Sequence, residues 1–297
     1  MKIKAIFLSL SLAFGFGVSN AQSNILNAKI VDEIGLKTEA QLEKDNDRPL
    51  EYGYVHDRDI LWGKFVWEII DLDERMNFPL YFPVDEDLGP NRLPLFEVLA
   101  RAMEEGLITE VYFDSYFTAK KSLDEIKNAR VYVDTTNEGR TQLFETGVID
   151  KQYIIPYQIE AFHVSDYKIK GMWYFDKRQS EMKYRLLGIC PVTPDVLTLK
   201  DNSENPDYIE LFWVFYPDAR DVLHEYTAFN DKNPFAALTF DHMLNSRRFN
   251  ATVYKEQNVM KDREIAQYMA ENSLNQLLEA QRVKEKIRNF EHDMWNY

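Results

Sequence analysis

The run YKIKGMWYFDKRQSEMKYRLLGICPV, residues 167–192, constrains the fold more than any other stretch of the chain. Two long segments rich in aromatic and aliphatic residues flank a polar turn at Lys177 to Ser180, which is the pattern of a long β-hairpin. An isolated hairpin is marginal in water, so these strands need sheet neighbours and a covering layer. YIELFWVFYP, residues 208–217, reads as a further strand stopped by Pro217. EVYFDSYF, residues 110–117, and VYVDTTNEG, residues 131–139, add a strand and a strand with a turn. The expected fold class is α+β: a mixed or antiparallel sheet built largely from residues 110–216, covered by helices, with a helical C-terminal segment.

Two helices are expected over that sheet. DILWGKFVWEIIDLDERMNFPLYFP, residues 59–83, fits a helical period over 59–76. Trp62, Phe65, Val66, Ile69, Leu72 and Met76 then fall on one face, and Lys64, Glu68, Asp71 and Arg75 on another. Asp57 and Asp59 are suited to cap it, and Pro79 ends it. Ile60 and Trp67 project between the two faces. Either a second layer covers them or they meet a partner, a role for which tryptophan is favoured. PLFEVLARAMEEGLI, from Pro94, reads as the second helix, with Gly106 at its C-terminal end. Ser122 with Glu125 forms a short capping box, and Asp218 and Thr239 are placed to cap two more helices.

The C-terminal part is helical in period. Val283, Ile287, Phe290 and Met294 form an apolar stripe, which Ile265 and Met269 would share if the helix ran on. Asn272, Ser273 and Gln276 interrupt it, so a kink or two helices are expected, with Ser273 and Gln276 as a new capping box. Arg282, Lys284, Lys286 and Arg288 make this segment basic within a chain of net charge −14. The stripe needs cover, from this chain's own body or from a neighbouring subunit, and both stand open. Ile60, Trp67, Val283, Ile287, Phe290 and Met294 are therefore the candidate partner-interface residues.

The chain thus divides into a leader at residues 1–21, a polar arm at 22–50, a globular α+β domain at 51–260 and a helical segment at 261–297. The leader has basic Lys2 and Lys4, an apolar run from Ala5 to Val18, and small residues Ser19 and Ala21 around a cleavage site, as in a secretory signal peptide. That run is short for a bilayer span, and no later segment is apolar enough to cross as a helix, so no direct membrane insertion is expected. The acidic balance, 35 basic against 49 acidic residues, repels phosphate and argues against nucleic acid as a partner.

Catalytic signatures are sparse. There is no nucleophile elbow, zinc-protease pair or glycine-rich phosphate loop, and no cofactor is expected. His56, His163, His224, His242 and His292 lack metal-ligand spacing, so no metal site is expected. Cys190 is the one cysteine, which excludes an internal disulfide. Its apolar surroundings point to burial over an intermolecular bridge. An envelope enzyme, such as a peptidoglycan hydrolase with Cys190 as nucleophile paired to His163, is the alternative to a non-enzymatic role.

Four blocks carry a resemblance. RPLEYGYVHDRDILWGKFVWEIIDLDERMNFPLYFP, WYFDKRQSEMKYRLLGICPV, LFWVFYPDARDVLHEYTAFN and RRFNATVYKEQNV together resemble the GldN family of gliding-motility proteins, also called PorN, over residues 48–265. The resemblance implies a periplasmic component of the type IX secretion system of Bacteroidetes. It also implies a non-enzymatic ring of many copies that assembles with the outer-membrane lipoprotein GldK or PorK and meets the periplasmic region of the motor protein GldM or PorM. It implies no catalytic residues.

Overall fold

In a computed structural model, residues 48–84, 93–201, 206–229, 238–270 and 272–295 are described. The expected leader and nearly all of the polar arm lie outside these residues. Pro49–Tyr297 forms a single unit.

The elements run β1 (Ile60–Asp71), α1 (Phe78–Tyr81), α2 (Leu95–Glu104), β2 (Val111–Tyr112), α3 (Leu123–Arg130), β3 (Val131–Thr135), α4 (Asn137–Thr146), β4 (Ile154–Gln158), β5 (Asp166–Asp176), β6 (Glu181–Pro194), α5 (Val196–Asp201), β7 (Tyr208–Glu210), β8 (Trp213–Phe215), α6 (Tyr216–Glu225), β9 (Thr227–Ala228), β10 (Leu238–Thr239), α7 (Phe240–Asn245), β11 (Thr252–Glu256), α8 (Ile265–Tyr268) and α9 (Ser273–Trp295). The fold is α+β. Its main sheet has seven strands in the order β11-β1-β5-β6-β8-β2, with β7 also paired to β6, and every pairing is antiparallel.

The β5–β6 hairpin forms as the sequence indicates, paired from Asp176↔Glu181 to Asp166↔Val192 with one register shift between Lys170 and Gly171. The Asp176 carboxylate accepts the Arg178 amide at 2.9 Å and so closes the turn. Gly171 sits where the Tyr184 ring lies flat on the strand: a Cβ there would stand 2.2 Å from the phenol. Gly106, at φ +74°, ends α2 as expected. The Ser122–Glu125 capping box forms at α3, and Thr239 caps α7.

The expected helix over 59–76 is instead β1, a central strand between β11 and β5. The reason is burial on both sides. The register puts Trp62, Val66, Glu68 and Ile70 on one face and Phe65 and Trp67 on the other, and both faces are covered. A strand with two covered faces loses its alternation and can mimic a helical stripe. Its β-branched and aromatic content fits the pleat better than a helix. Met76, placed on the expected core face, is exposed. Trp62 and Ile69 are half-buried, and only Val66 of the three is fully buried.

Smaller differences have equally local causes. YIELFWVFYP divides into β7 and β8, and Pro217 opens α6 in its first turn. Asp218 therefore lies inside α6, where its carboxylate accepts the amides of Thr109 at 2.7 Å and Glu110 at 2.9 Å. The C-terminal segment is two helices, as expected, but Asn272 caps the second. Its Oδ1 accepts the Leu274 amide at 2.9 Å, one residue earlier than the Ser273 reading.

Helices α2, α6 and α7 pack on the sheet face that carries Tyr167, Ile169, Leu186 and Ile189. Helix α9 covers the same face over β11 and β1. The opposite face holds Trp67, Cys190 and Trp213 under the aromatic rings of Tyr112 and Phe117. A second, two-stranded sheet, β3–β4, leans on α3 and α5.

Candidate interaction surfaces

The six residues expected at an interface divide by burial. Trp67 is 1% exposed. Its ring lies 5.7 Å from that of Tyr116, with the ammonium groups of Lys170 and Lys255 at 5.1 and 4.6 Å from its centroid. Lys170 donates to the Ser115 carbonyl at 2.7 Å and is itself buried. Burial, reinforced by Lys255, pushes its ammonium group below the usual lysine range. This is a closed cation–aromatic packing layer, so Trp67 is not a partner contact. Ile60, half-buried, begins the strand.

The C-terminal stripe is also turned inward. Val283 and Ile287 are buried with Val66 and Val253, and Phe290 stacks on Trp62 with centroids 4.9 Å apart. Met294 is half-buried. The basic residues assist this docking: Lys284 donates to the Ala251 carbonyl at 2.5 Å, and Lys286 lies 3.9 Å from Glu256. Of the two covers that stood open, this chain's own body supplies it, which removes Val283 and Ile287 from the candidate interface.

A different surface remains uncovered. In β3–β4, cross-strand partners share a face. Tyr132 and Tyr157 turn toward the core, while Val131, Val133, Ile154 and Pro156 turn outward and are exposed. Helix α4 is capped by Thr136, whose Oγ1 accepts the Gly139 amide at 3.2 Å, and is ended by Gly147 at φ +74°. It presents Leu143 and Phe144 to solvent, Phe144 at 95% exposure and Val133 in the adjoining strand at 55%. The strand edges themselves are blunted. The Val131 amide is taken by Lys127 O, the Thr135 amide by the Asp134 carboxylate, and Pro156 has no amide hydrogen. What this module offers a partner is a side-chain surface, not a free ladder.

Two buried ion pairs elsewhere are internally satisfied. Arg247 holds Glu68 through two bonds of 2.9 Å. Arg220 holds Asp241 at 2.9 and 3.1 Å, and Tyr216 adds a third bond to that carboxylate. These pairs tie α6 to α7 and β1 to the loop before β11. Cys190 is fully buried, its thiol donates to the Pro191 carbonyl at 3.4 Å, and burial pushes it well above the ordinary thiol range. Reactive thiols sit in the opposite environment, so the nucleophile reading of Cys190 fails. His163 Nδ1 accepts the Glu160 amide at 3.0 Å and so closes its own local turn. Among the described residues no group of His, Cys, Asp or Glu side chains is arranged to hold a metal ion, and no helix is long and apolar enough to cross a membrane.

Residues 55–296 match the family model described as gliding motility associated protein GldN. The chain belongs to the GldN family. No curated protein matches it. The resemblance drawn from the four sequence blocks is thereby shown, and the match runs past residue 265 to take in α9. Both the docked C-terminal helix and the exposed β3–β4/α4 module lie inside the GldN-family region.

Proposed function

We propose that this chain is a non-catalytic structural subunit of the gliding-motility and type IX protein secretion machinery. In this reading it works in the periplasm, reached through the leader at residues 1–21, and associates with the outer membrane through a lipoprotein of the GldK/PorK type. Copies of the chain form a ring with that lipoprotein and contact the periplasmic region of a GldM/PorM motor protein. The observation that carries the reading is the family match over residues 55–296. The exposed large apolar side chains of β3–β4 and of α4 support it, as groups that a partner could cover. The inert environment of Cys190 favours a structural role over the hydrolase alternative.

The test is co-purification of the full chain from envelope membranes with its lipoprotein partner, for the parent and for Val133→Asp/Phe144→Asp. Both positions are exposed, so each substitution should alter stability by less than about 0.5 kcal/mol. Loss of co-purification with an unchanged melting temperature is the expected result. Normal assembly of the double variant would place the contact elsewhere, and failure of the parent to co-purify would overturn the reading itself.

A further inference from the structure

An apolar cavity of about 520 Å³ opens between the segment after β1 and the α7 region. Phe78 and Phe82 form one wall, and Ala228, Leu238 and Met243 form the other. Its size is in the range of small-molecule sites. Arg75 and Arg248 line it and are exposed. Among the described residues neither guanidinium has a carboxylate partner, although the chain carries a net charge of −14. Glu74, the acidic neighbour of Arg75, is occupied by the Asn250 side chain at 2.6 Å.

A buried clamp ties together the two segments that carry the arginines. Asn77 is fully buried, and its side-chain amide donates to the carbonyls of Asp71 at 2.7 Å and Asn250 at 3.0 Å. Its Oδ1 accepts the Asn250 amide at 2.9 Å. Asn77 lies two residues after Arg75, and Asn250 two residues after Arg248, so the clamp joins the two backbone segments whose arginines line the same cavity. Three hydrogen bonds through one fully buried side chain make this a built feature of the fold.

We propose that this cavity binds a single-chain anionic lipid of the fatty-acid class, with the acyl chain between the phenylalanine and methionine walls and the headgroup on Arg75 and Arg248. The charge complementarity selects the headgroup, since guanidinium groups are suited to carboxylate and phosphate oxygens. The lining selects the body. Apart from the two arginines, its side chains are Phe, Pro, Met, Leu and Ala, with no hydrogen-bonding group. A peptide would bury backbone amides there without partners, whereas an acyl chain needs none. The site is independent of the β3–β4/α4 surface, so it stands or falls apart from the assembly reading.

Titration of the full chain with dodecanoate below its micelle concentration tests this, with dodecyl phosphate, dodecanol and dodecyltrimethylammonium in parallel. Saturable one-to-one binding of the two anions is expected, with dodecanol and the cation weaker by about tenfold or more. Arg75→Ala/Arg248→Ala should weaken dodecanoate by about tenfold and leave dodecanol unchanged. Met76→Glu, at an exposed wall position, should weaken both, with no change in melting temperature for either variant. No saturable binding, binding indifferent to headgroup or to the arginines, or displacement of dodecanoate by an acetylated apolar peptide at lower concentration would each overturn the proposal.

Discussion

The β1/α9 region and the β3–β4/α4 module are built from the same kinds of residue and use them in opposite ways. In the first, Val66, Val253, Val283 and Ile287 close on one another, and Trp62 lies flat against Phe290. In the second, Val131, Val133, Ile154, Leu143 and Phe144 face solvent. The difference lies in what each element can pack against. Helix α9 lies across β11 and β1, and β1 is paired along its length with β5. The module lies between β2 and β5 in the chain, and its two strands pack on α3 and α5 with Tyr132 and Tyr157 turned to the core. Apolar residues mark a core where a second layer exists and an exposed face where it does not.

The largest test of that contrast is deletion of residues 274–297. If α9 is core, its loss uncovers Val66 and Val253 and forfeits the burial of Val283 and Ile287, roughly 3–6 kcal/mol at about 1.5–3 per side chain. That is a large part of a typical domain's stability margin. Chemical denaturation should show a protein near its unfolding threshold. A truncated chain as stable as the parent would make α9 a free interaction element again.

Next in size is Glu68→Ala. This leaves Arg247 without its carboxylate against the Tyr184 and Phe249 rings. Removing one member of so buried a pair should cost about 3–5 kcal/mol, read from urea unfolding. A cost below about 1 kcal/mol would mean that the sheet face beneath α9 is wetter than its packing indicates.

Smaller again is an alkaline effect of the buried tyrosines. Burial raises the phenols of Tyr167, Tyr184 and Tyr254, and that of Tyr52 to about 12, above their unfolded value of 10.0. A raised acid is neutral in the fold when it would ionise in the open chain. Its contribution is therefore intact below pH 10.0 and is lost as pH rises through the folded value. Stability should fall above pH 10, each tyrosine adding at most about 1.4 kcal/mol per pH unit. Tyr254→Phe should flatten that slope by one tyrosine's share, measured by urea unfolding at stepped pH, and an unchanged slope would count against its burial.

Part of this architecture is legible in the sequence. The hairpin at 166–194 announces itself because two long runs flank a polar turn, and the caps at Ser122 and Thr239 are local chemistry that tertiary packing leaves alone. Strand β1 is not legible, because both its faces are covered and Trp62, Val66 and Ile69 satisfy a helical template as well as a strand. The source of their cover is not legible for a related reason: a sequence shows that Val283, Ile287 and Trp67 need cover, but not whether this chain supplies it. Phe144 and Val133 carry no such mark, because their periods fit ordinary buried elements, and only the missing outer layer sets them apart.

Amide hydrogen exchange on the free chain and on the membrane-extracted assembly tests the central contrast most directly. The account predicts that amides of residues 280–290 are as protected in the free chain as those of β5 and β6 and do not change on assembly. Those of residues 131–158 should exchange quickly in the free chain and slow on assembly. Fast exchange at 280–290 in the free chain that slows on assembly, with 131–158 unaffected, would contradict it.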